Sequence, residues 1–512
     1  MKPSSYPVAT KAVELLQTHV SWIFLTDTHA FKVKKPVNFV FLDFSTLNKR
    51  HFYCHEELRL NRRLCPDIYE QVIELHQTRD GAAFYGDGAI IDYAVMMKRL
   101  PANRMLDRLV ERGDVSSADM HTVAGIISRF HAVADTSPHI SGFGSIEQIK
   151  FNWEESFQQL LPFETQTLPQ PDRDLLRACV EGFIDTHHDL FEQRIEQGFI
   201  RECDGDLHLE NICLIDGTAY IFDCIEFNER FRFCDTAADI AFLLMDLDFH
   251  GRPDLADIFL NSYLDASGDT EIVHLLPFYK LYRAMVRGKV ESLQLNDAGI
   301  YPDAQLSAAQ KARRYFRLAR GYCEQNRLRP TLFITCGTTG CGKSALAKQL
   351  GFELGLRVFN SDTIRKQLAG LTAETPVQVP YRQGLYAEEM NVTTYQELLK
   401  QAECELLAGR SVLIDAGFRT ATWRAACGRL AAAHSAGLVI LLVTCDPTEQ
   451  LRRLTVRSSA GHSISDGRAE LLEQQQRDFE QPTAPEGKII SITSDADPDQ
   501  LTNRIYQELQ QW

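Results

Sequence analysis

The stretch Gly337-Thr338-Thr339-Gly340-Cys341-Gly342-Lys343-Ser344 decides how the second half of this chain is read. An apolar run, Thr331-Leu332-Phe333-Ile334-Thr335, leads into it, and a helical pattern, Ala345-Leu346-Ala347-Lys348-Gln349-Leu350, leads out. A strand, a loop spaced Gly-x-x-x-x-Gly-Lys-Ser and a helix form the arrangement in which successive backbone N–H groups turn inward around phosphates. In it Lys343 reaches the terminal phosphates and the Ser344 hydroxyl is placed to ligate Mg²⁺, so residues Gly337 to Ser344 read as a nucleotide site. A glycine turn without that role would leave Lys343 among N–H donors with no anion.

Beyond the loop, Arg357-Val358-Phe359-Asn360 reads as a short strand running into Ser361-Asp362-Thr363-Ile364-Arg365. Asp362 and Arg365 lie three apart at a helix start and share a face, where Asp362 can deprotonate an acceptor hydroxyl and Arg365 can clamp an acceptor anion. Val412-Leu413-Ile414-Asp415 is an apolar strand ending in a carboxylate suited to hold Mg²⁺ beside Ser344. Strands alternating with helices, continued by Gly437 to Thr444, imply a parallel sheet. Arg452, Arg453 and Arg457 fall on one helix before a loop from His462 to Arg468. The expectation is a lid over the ATP phosphates, with Arg453 and Arg457 touching them and the polar helix from Glu470 to Gln476 at its base.

This half resembles the P-loop kinases that include zeta-toxin-type, gluconate-type and 5′-hydroxyl polynucleotide kinases. The resemblance covers roughly residues 331 to 512 and rests on Gly337 to Ser344, Ser361-Asp362-x-x-Arg365, Asp415 and the Arg452 to Arg457 cluster. It implies that the Asp-x-x-Arg pair serves the acceptor, with Asp362 as general base. The group has many acceptors, so no substrate is implied.

In the first half, Val8 to Thr18 reads as an amphipathic helix. Ser21 to Leu25 and Ala30 to Val33 read as strands of a hairpin turning at Thr26-Asp27-Thr28-His29. Ala30, Lys32 and Lys34 share one strand face, and a helix from Ser45 to Leu64 carries Glu56-Glu57. Ala89 to Met97 is a further strand, and a helix from Ser117 to Ala134 carries His131, read as structural. Farther on comes Asp204-Gly205-Asp206-Leu207-His208-Leu209-Glu210-Asn211, then the strand-like Ala219-Tyr220-Ile221-Phe222-Asp223. Asp-x-x-x-x-Asn followed by a strand-terminal Asp is what Mg-dependent phosphoryl transfer needs. One carboxylate accepts the hydroxyl proton, and an amide oxygen and a second carboxylate hold the metal. Those roles fall to Asp206, Asn211 and Asp223.

This half resembles the aminoglycoside-phosphotransferase-like branch of the protein-kinase fold, over roughly residues 15 to 300. The matching residues are Ala30-Phe31-Lys32, Glu57, Gly205-Asp206-Leu207-His208 with Asn211, and Asp223. The resemblance implies that Lys32 contacts the α/β-phosphates and pairs with Glu57, with Lys34 and Glu56 as alternates. The chain departs from the pattern at Asp204, where the family usually has His, and it has no glycine-rich loop between Leu25 and Ala30. The order of the two halves is similar to that of bacterial bifunctional aminoglycoside phosphotransferase/ATP-binding proteins. The expected architecture is an α+β bilobal kinase-like domain over 1–328 and an α/β P-loop NTPase domain with a parallel sheet over 329–512.

Asp235 and Asp239 read as cap and brace of the next helix, and Arg283 and Arg287, four apart on one helical face, read as a solvated face, with an anion-binding role facing the cleft as the alternative. Ala304 to Gln325 reads as a basic helix. Cys203, Cys213, Cys224 and Cys234 are about ten residues apart with no C-x-x-C pair, which favours reduced core thiols over a zinc cluster.

With 512 residues the chain exceeds one ordinary core, and its net charge of -15 weighs against a nucleic-acid coat or an anionic membrane as main partner. No signal-peptide pattern and no run of about 18 apolar residues occurs, so a cytoplasmic location is expected. The function these features predict is ATP- and Mg-dependent transfer of phosphate to a hydroxyl of a small-molecule or nucleotide-like acceptor. A regulatory ATPase switch with a degenerate first half and a nucleic-acid 5′-hydroxyl kinase are the alternatives, nucleic acid being the less favoured partner. Oligomeric state is not legible.

Overall fold

The computed structural model describes residues 2–39, 41–79, 81–297, 299, 301–325, 327–372, 375, 377, 380, 382–460 and 468–512, with 457–460 and 498 described by backbone only. The chain divides into two compact units, Met1–Ala319 and Arg320–Trp512.

The first unit opens with a six-stranded antiparallel sheet: β1 (Glu14–Gln17), β2 (Ser21–Leu25), β3 (His29–Lys34), β4 (Tyr69–Thr78), β5 (Gly81–Ala83) and β6 (Ile90–Lys98), in the order β1-β2-β3-β6-β4-β5. The sequence expectation of a helix from Val8 to Thr18 is overturned. Glu14 to Gln17 pair with Leu25 to Trp22 as an edge strand exposed at every residue, so Leu15 and Leu16 have no core to face and backbone pairing decides. Alternation along β3 does the positioning work. Phe31 and Val33 pack into a core with Tyr6, Phe84 and Met96, while Lys32 and Lys34 face the other way. On that side lies α1 (Leu47–Asn61), started by the Thr46 hydroxyl accepting the Lys49 N–H.

The helical remainder of this unit is built around α2 (Ser117–Val133) and, after the short strands β7 (Ile200–Glu202), β8 (Ile212–Ile215), β9 (Thr218–Ile221) and β10 (Phe233–Asp235), α3 (Thr236–Phe249). Every residue of α3 is buried, its three aspartates Asp239, Asp246 and Asp248 included, so the helix is packed on all sides. The Asp235 carboxylate caps it by accepting the Ala237 N–H. α4 (Ile272–Leu293) follows, then α5 (Pro302–Gln325), within which the division between the units falls.

The second unit is a five-stranded parallel sheet of β11 (Thr331–Cys336), β12 (Arg357–Asn360), β13 (Val412–Asp415), β14 (Gly437–Thr444) and β15 (Lys488–Thr493). Their order is β12-β13-β11-β14-β15, all pairs parallel. The central strand β11 is buried throughout, the run of apolar residues a two-sided sheet requires. Around it lie α6 (Lys343–Glu353), α7 (Ser361–Leu368), α8 (Glu388–Leu407), α9 (Pro447–Ala460), α10 (Leu472–Arg477) and α11 (Pro498–Gln510).

Candidate active sites

In the second unit the loop from Gly337 to Gly342 joins β11 to α6. Its glycines are forced by geometry. Gly340 has φ +76° and Gly342 φ +95°, and a Cβ would stand 2.8 Å from Leu454 Cγ at the first and 2.9 Å from Ser494 Oγ at the second. One helix, α9, thus buttresses the loop. Leu454 packs on Gly340, Gln450 Nε2 donates to the Thr338 hydroxyl (2.9 Å) and the Thr339 carbonyl (2.6 Å), and Arg453 Nη1 donates to Ser494 Oγ beside Gly342. The N–H groups of Gly340 to Ser344 have no backbone acceptor among the described residues. Lys343 Nζ donates to the Thr338 carbonyl at 2.7 Å and so lies over the loop, and the Cys341 side chain is buried beneath it.

The adjoining carboxylates are held in place. Asp415, at the end of β13, accepts from Thr335 Oγ1 at 3.2 Å and Asn360 Nδ2 at 2.7 Å. Asn360 also caps α7, accepting the N–H groups of Asp362 and Thr363. Asp362 and Arg365 face each other as their spacing predicts, Arg365 Nη1 donating to Asp362 Oδ1 at 2.8 Å. Two residues outside the sequence reading complete the cluster. Tyr386 donates to Asp362 at 3.3 Å and lies under the Arg365 guanidinium, and Asn391 accepts from Arg365 Nη2 at 3.1 Å. Arg365 is buried, and its Nε has no hydrogen-bond partner among the described residues. Of the arginines read as a lid, Arg452 is exposed and paired with Glu449, while Arg453 is held by Glu449 and Ser494. The Arg457 side chain and residues 461–467 of the lid loop lie outside the described residues.

In the first unit, β3, α1 and the segment after β9 bring five charges together. Lys32 Nζ sits 2.9 Å from Glu57 Oε1 and 2.5 Å from Asp223 Oδ1, and Lys34 Nζ sits 2.6 Å from Glu57 Oε2 and also bonds Glu226. Both lysines, left open as alternates by the sequence, therefore engage Glu57. They differ in access, since Lys34 is sealed and Lys32 and Asp223 are not. Glu56 instead pairs with Arg59 on the outside of α1. Burial opposes charge on Glu57, but the two lysines overcome it and hold the carboxyl at about 2. Burial likewise works against the Lys32 ammonium, and Asp223, Glu57 and Glu226 raise it well above the usual lysine value.

The loop after β7 is pinned from behind. Asp239 accepts the N–H groups of Asp204 (3.2 Å) and Gly205 (2.8 Å) and bonds His131 Nε2 at 3.0 Å, and His131 Nδ1 bonds the Tyr263 hydroxyl at 2.8 Å. Asp246 accepts the Leu209 N–H. The reading of Arg283 and Arg287 as a solvated face is corrected. Arg283 is buried and donates to the carbonyls of Gly205 and Ala238, while Arg287 bonds Glu210 and the Tyr315 hydroxyl, so both guanidiniums are spent on the Gly205 to Glu210 loop and the elements behind it. Asn211 Nδ2 donates to Asp206 Oδ2 at 3.0 Å, which leaves the Asn211 amide oxygen and one Asp223 oxygen as acceptors. Burial would raise the Asp206 carboxyl, but His208, Arg287 and Arg283 hold it below the usual range. Asp204 is the opposite case. Burial, then Asp239 and Asp206, push its carboxyl well above the ordinary value, and one of its oxygens has no hydrogen-bond partner among the described residues. The cysteines at 203, 213, 224 and 234 are free thiols, as expected.

Both donor sets suit a hard divalent cation: an amide oxygen and a carboxylate from Asn211 and Asp223, a hydroxyl and a carboxylate from Ser344 and Asp415.

A parallel sheet with a glycine loop at the head of a central strand defines the second unit as a P-loop NTPase-type domain, and the AAA domain family matches residues 332–482. The chain as a whole belongs to the family of the Mycobacterium tuberculosis (strain ATCC 25618 / H37Rv) uncharacterized protein Rv2004c. The two are 31% identical over 469 residues, 91% of this chain and 90% of the relative. The Mycobacterium bovis protein Mb2027c matches equally, at 31% over the same lengths. Among solved structures, a choline/ethanolamine kinase family protein from Mesorhizobium loti is 12% identical and covers 61% of this chain and 93% of its own, with a TM-score of 0.37. A gluconokinase from Sinorhizobium meliloti is 14% identical and covers 36% and 94%, with a TM-score of 0.26. No described helix is long and apolar enough to cross a membrane.

Proposed function

We propose that this chain is an ATP- and Mg-dependent phosphotransferase with two nucleotide sites, each passing the γ-phosphate of ATP to a hydroxyl of a small-molecule or nucleotide-like acceptor. The observation that carries it is the loop from Gly340 to Ser344, whose consecutive unclaimed N–H groups open the helix α6 with Lys343 over them.

At the second site the acceptor hydroxyl loses its proton to Asp362, whose Oδ1 is occupied by Arg365 and Tyr386 and whose Oδ2 serves as base. The hydroxyl oxygen bonds to the γ-phosphorus as the bond to the β–γ bridging oxygen breaks, leaving ADP. Lys343 and the loop N–H groups neutralise the charge on the leaving side. Arg365, paired with Asp362 through Nη1, orients the acceptor beside that carboxylate. At the first site Asp206 takes the acceptor proton, kept ionised for it by His208, Arg287 and Arg283. Lys32 holds the α/β-phosphates from its seat on Glu57. Ser344 with Asp415, and Asn211 with Asp223, are the residues that would hold Mg²⁺, which when bound supplies charge neutralisation between the phosphates.

The test is transfer of labelled γ-phosphate by the wild type, Lys343→Ala and Asp206→Ala, with a pooled metabolite and oligonucleotide extract. Two products, one lost with each change, are expected. Release of inorganic phosphate alone would replace this reading with the ATPase switch, and label confined to oligonucleotide ends would replace it with the nucleic-acid kinase.

A further inference from the structure

Gln475 on α10 meets the phosphate loop at Thr339: its Oε1 accepts the Thr339 N–H at 2.9 Å. The loop does not need this bond for support. Gln450 already binds Thr338 and the Thr339 carbonyl, and Leu454 packs on Gly340. The assignment of the carboxamide is forced, because an N–H can only be met by the oxygen end. The other end, a neutral NH₂ with two donors, then lies about 2.3 Å from that oxygen by covalent geometry, at the lip of the loop, and has no acceptor among the described residues. Thr339 stands immediately before Gly340, where the unclaimed N–H run begins, so this donor is placed at the edge of the anion cradle.

We infer that Gln475 is a direct ligand of the terminal phosphoryl group, its oxygen anchored on Thr339 and its Nε2 donating to a γ-phosphate oxygen. This rests on the reading of Gly337 to Ser344 as a nucleotide site and adds the residue that distinguishes a triphosphate from a diphosphate there. Lys343 reaches the phosphates from inside the loop; Gln475 reaches the outermost one from α10. A neutral amide suits the task, since it donates without fixing the transferring group as a lysine ion pair would.

The experiment measures binding of a non-hydrolysable ATP analogue and of ADP to the full chain in a Lys32→Met background, which removes the lysine of the other site. Wild-type Gln475, Gln475→Ala and Gln475→Glu are compared. In Gln475→Glu one carboxylate oxygen still accepts from Thr339, but the second faces the phosphate as an anion. Loss of one charge-assisted hydrogen bond predicts about tenfold weaker analogue binding in Gln475→Ala, with ADP binding unchanged within about twofold. Gln475→Glu should weaken the analogue further and ADP less. Equal losses for both nucleotides in the alanine variant would make Gln475 a purely structural prop and overturn the inference. Tighter binding of both would make it a plug that nucleotide must displace, and overturn it too. If the Gln475 parent binds neither nucleotide, the phosphate-loop reading itself fails, which is a different result from either.

Discussion

Arg283 donates through Nη1 to the Gly205 carbonyl at 3.0 Å, and a buried guanidinium thereby fixes the backbone one residue before Asp206. Its Nε takes the Ala238 carbonyl at 2.9 Å, so the same side chain ties the loop to the first turn of α3.

Replacing it tests that tie. Arg283→Met leaves the buried Gly205 carbonyl without a donor, at a cost of about 1–3 kcal/mol, and removes the second bond of the helical Ala238 carbonyl, so it should lower the urea midpoint of the first unit. Displacement of Asp206 should cut the Asp206-dependent product by about a hundredfold. The Lys343-dependent product should be unchanged, and a matching fall in both would place Arg283 in general stability.

The two lysines of β3 should separate in function. Lys34 is enclosed by Glu57 and Glu226, so Lys34→Met strands buried carboxylates and should cost about 3–5 kcal/mol. Lys32 faces Asp223, whose side chain is 44% exposed and can turn to water, so Lys32→Met should cost far less stability and more ATP affinity at the first site. Denaturation and nucleotide titration on the pair read this out. A larger stability loss for Lys32→Met would reverse the assignment.

Asp204 carries a pH signature. Its folded-state carboxyl is raised well above the usual aspartate value of 3.8, so the folded chain holds a proton that the unfolded chain has released. Stability from this group is therefore complete below the unfolded value and declines as pH rises toward the folded value, by about 1.4 kcal/mol per unit. Asp204→Asn keeps the shape and the acceptor for the Asp206 N–H without titrating. Its advantage over the wild type should grow as pH rises above about 5, with phosphate transfer at the first site retained. Glu57 acts in the reverse sense. Its contribution is present above 4.5 and is lost as pH falls through about 2, so the two effects occupy different windows. Parallel stability curves for wild type and Asp204→Asn from pH 5 upward would remove the protonated-acid account.

Local patterns were legible from sequence where the chemistry is local. Gly337 to Ser344 needs left-handed residues and close approach, which glycine spacing announces. The i,i+2 repeat of Lys32 and Lys34 was enough to aim both at one partner. What escaped depends on contacts between distant segments. Arg283 and Arg287 sit on a helix whose charge looks solvated until α4 is seen to back the loop at Gly205 to Glu210. Tyr386, Asn391, Gln450 and Gln475 are polar residues in helical or loop sequence with no spacing signal. They reach the Asp362 and Thr339 neighbourhoods only through the packing of α8, α9 and α10 and the turn before α8. The strand β15, Lys488–Thr493, was absent from the reading of the sheet because it joins β14 after 43 intervening residues.

The contact between Gly340 and Leu454 makes a final quantitative test. A Cβ at 340 would stand 2.8 Å from Leu454 Cγ, and φ +76° adds backbone strain, so Gly340→Ala carries two separable penalties. Leu454 is buried, and Leu454→Ala alone should cost about 2–5 kcal/mol. In the double variant the alanine methyl enters the space the leucine vacated, which removes the clash and leaves only the left-handed strain of about 1–2 kcal/mol. The double variant should therefore be more stable than the sum of the singles by about 1–3 kcal/mol, read from denaturation of the second unit. Nucleotide binding should fall in Gly340→Ala and recover in part in the double variant, because the loop N–H groups can return to their arc. Strict additivity in both measurements would mean that α9 does not shape the phosphate loop.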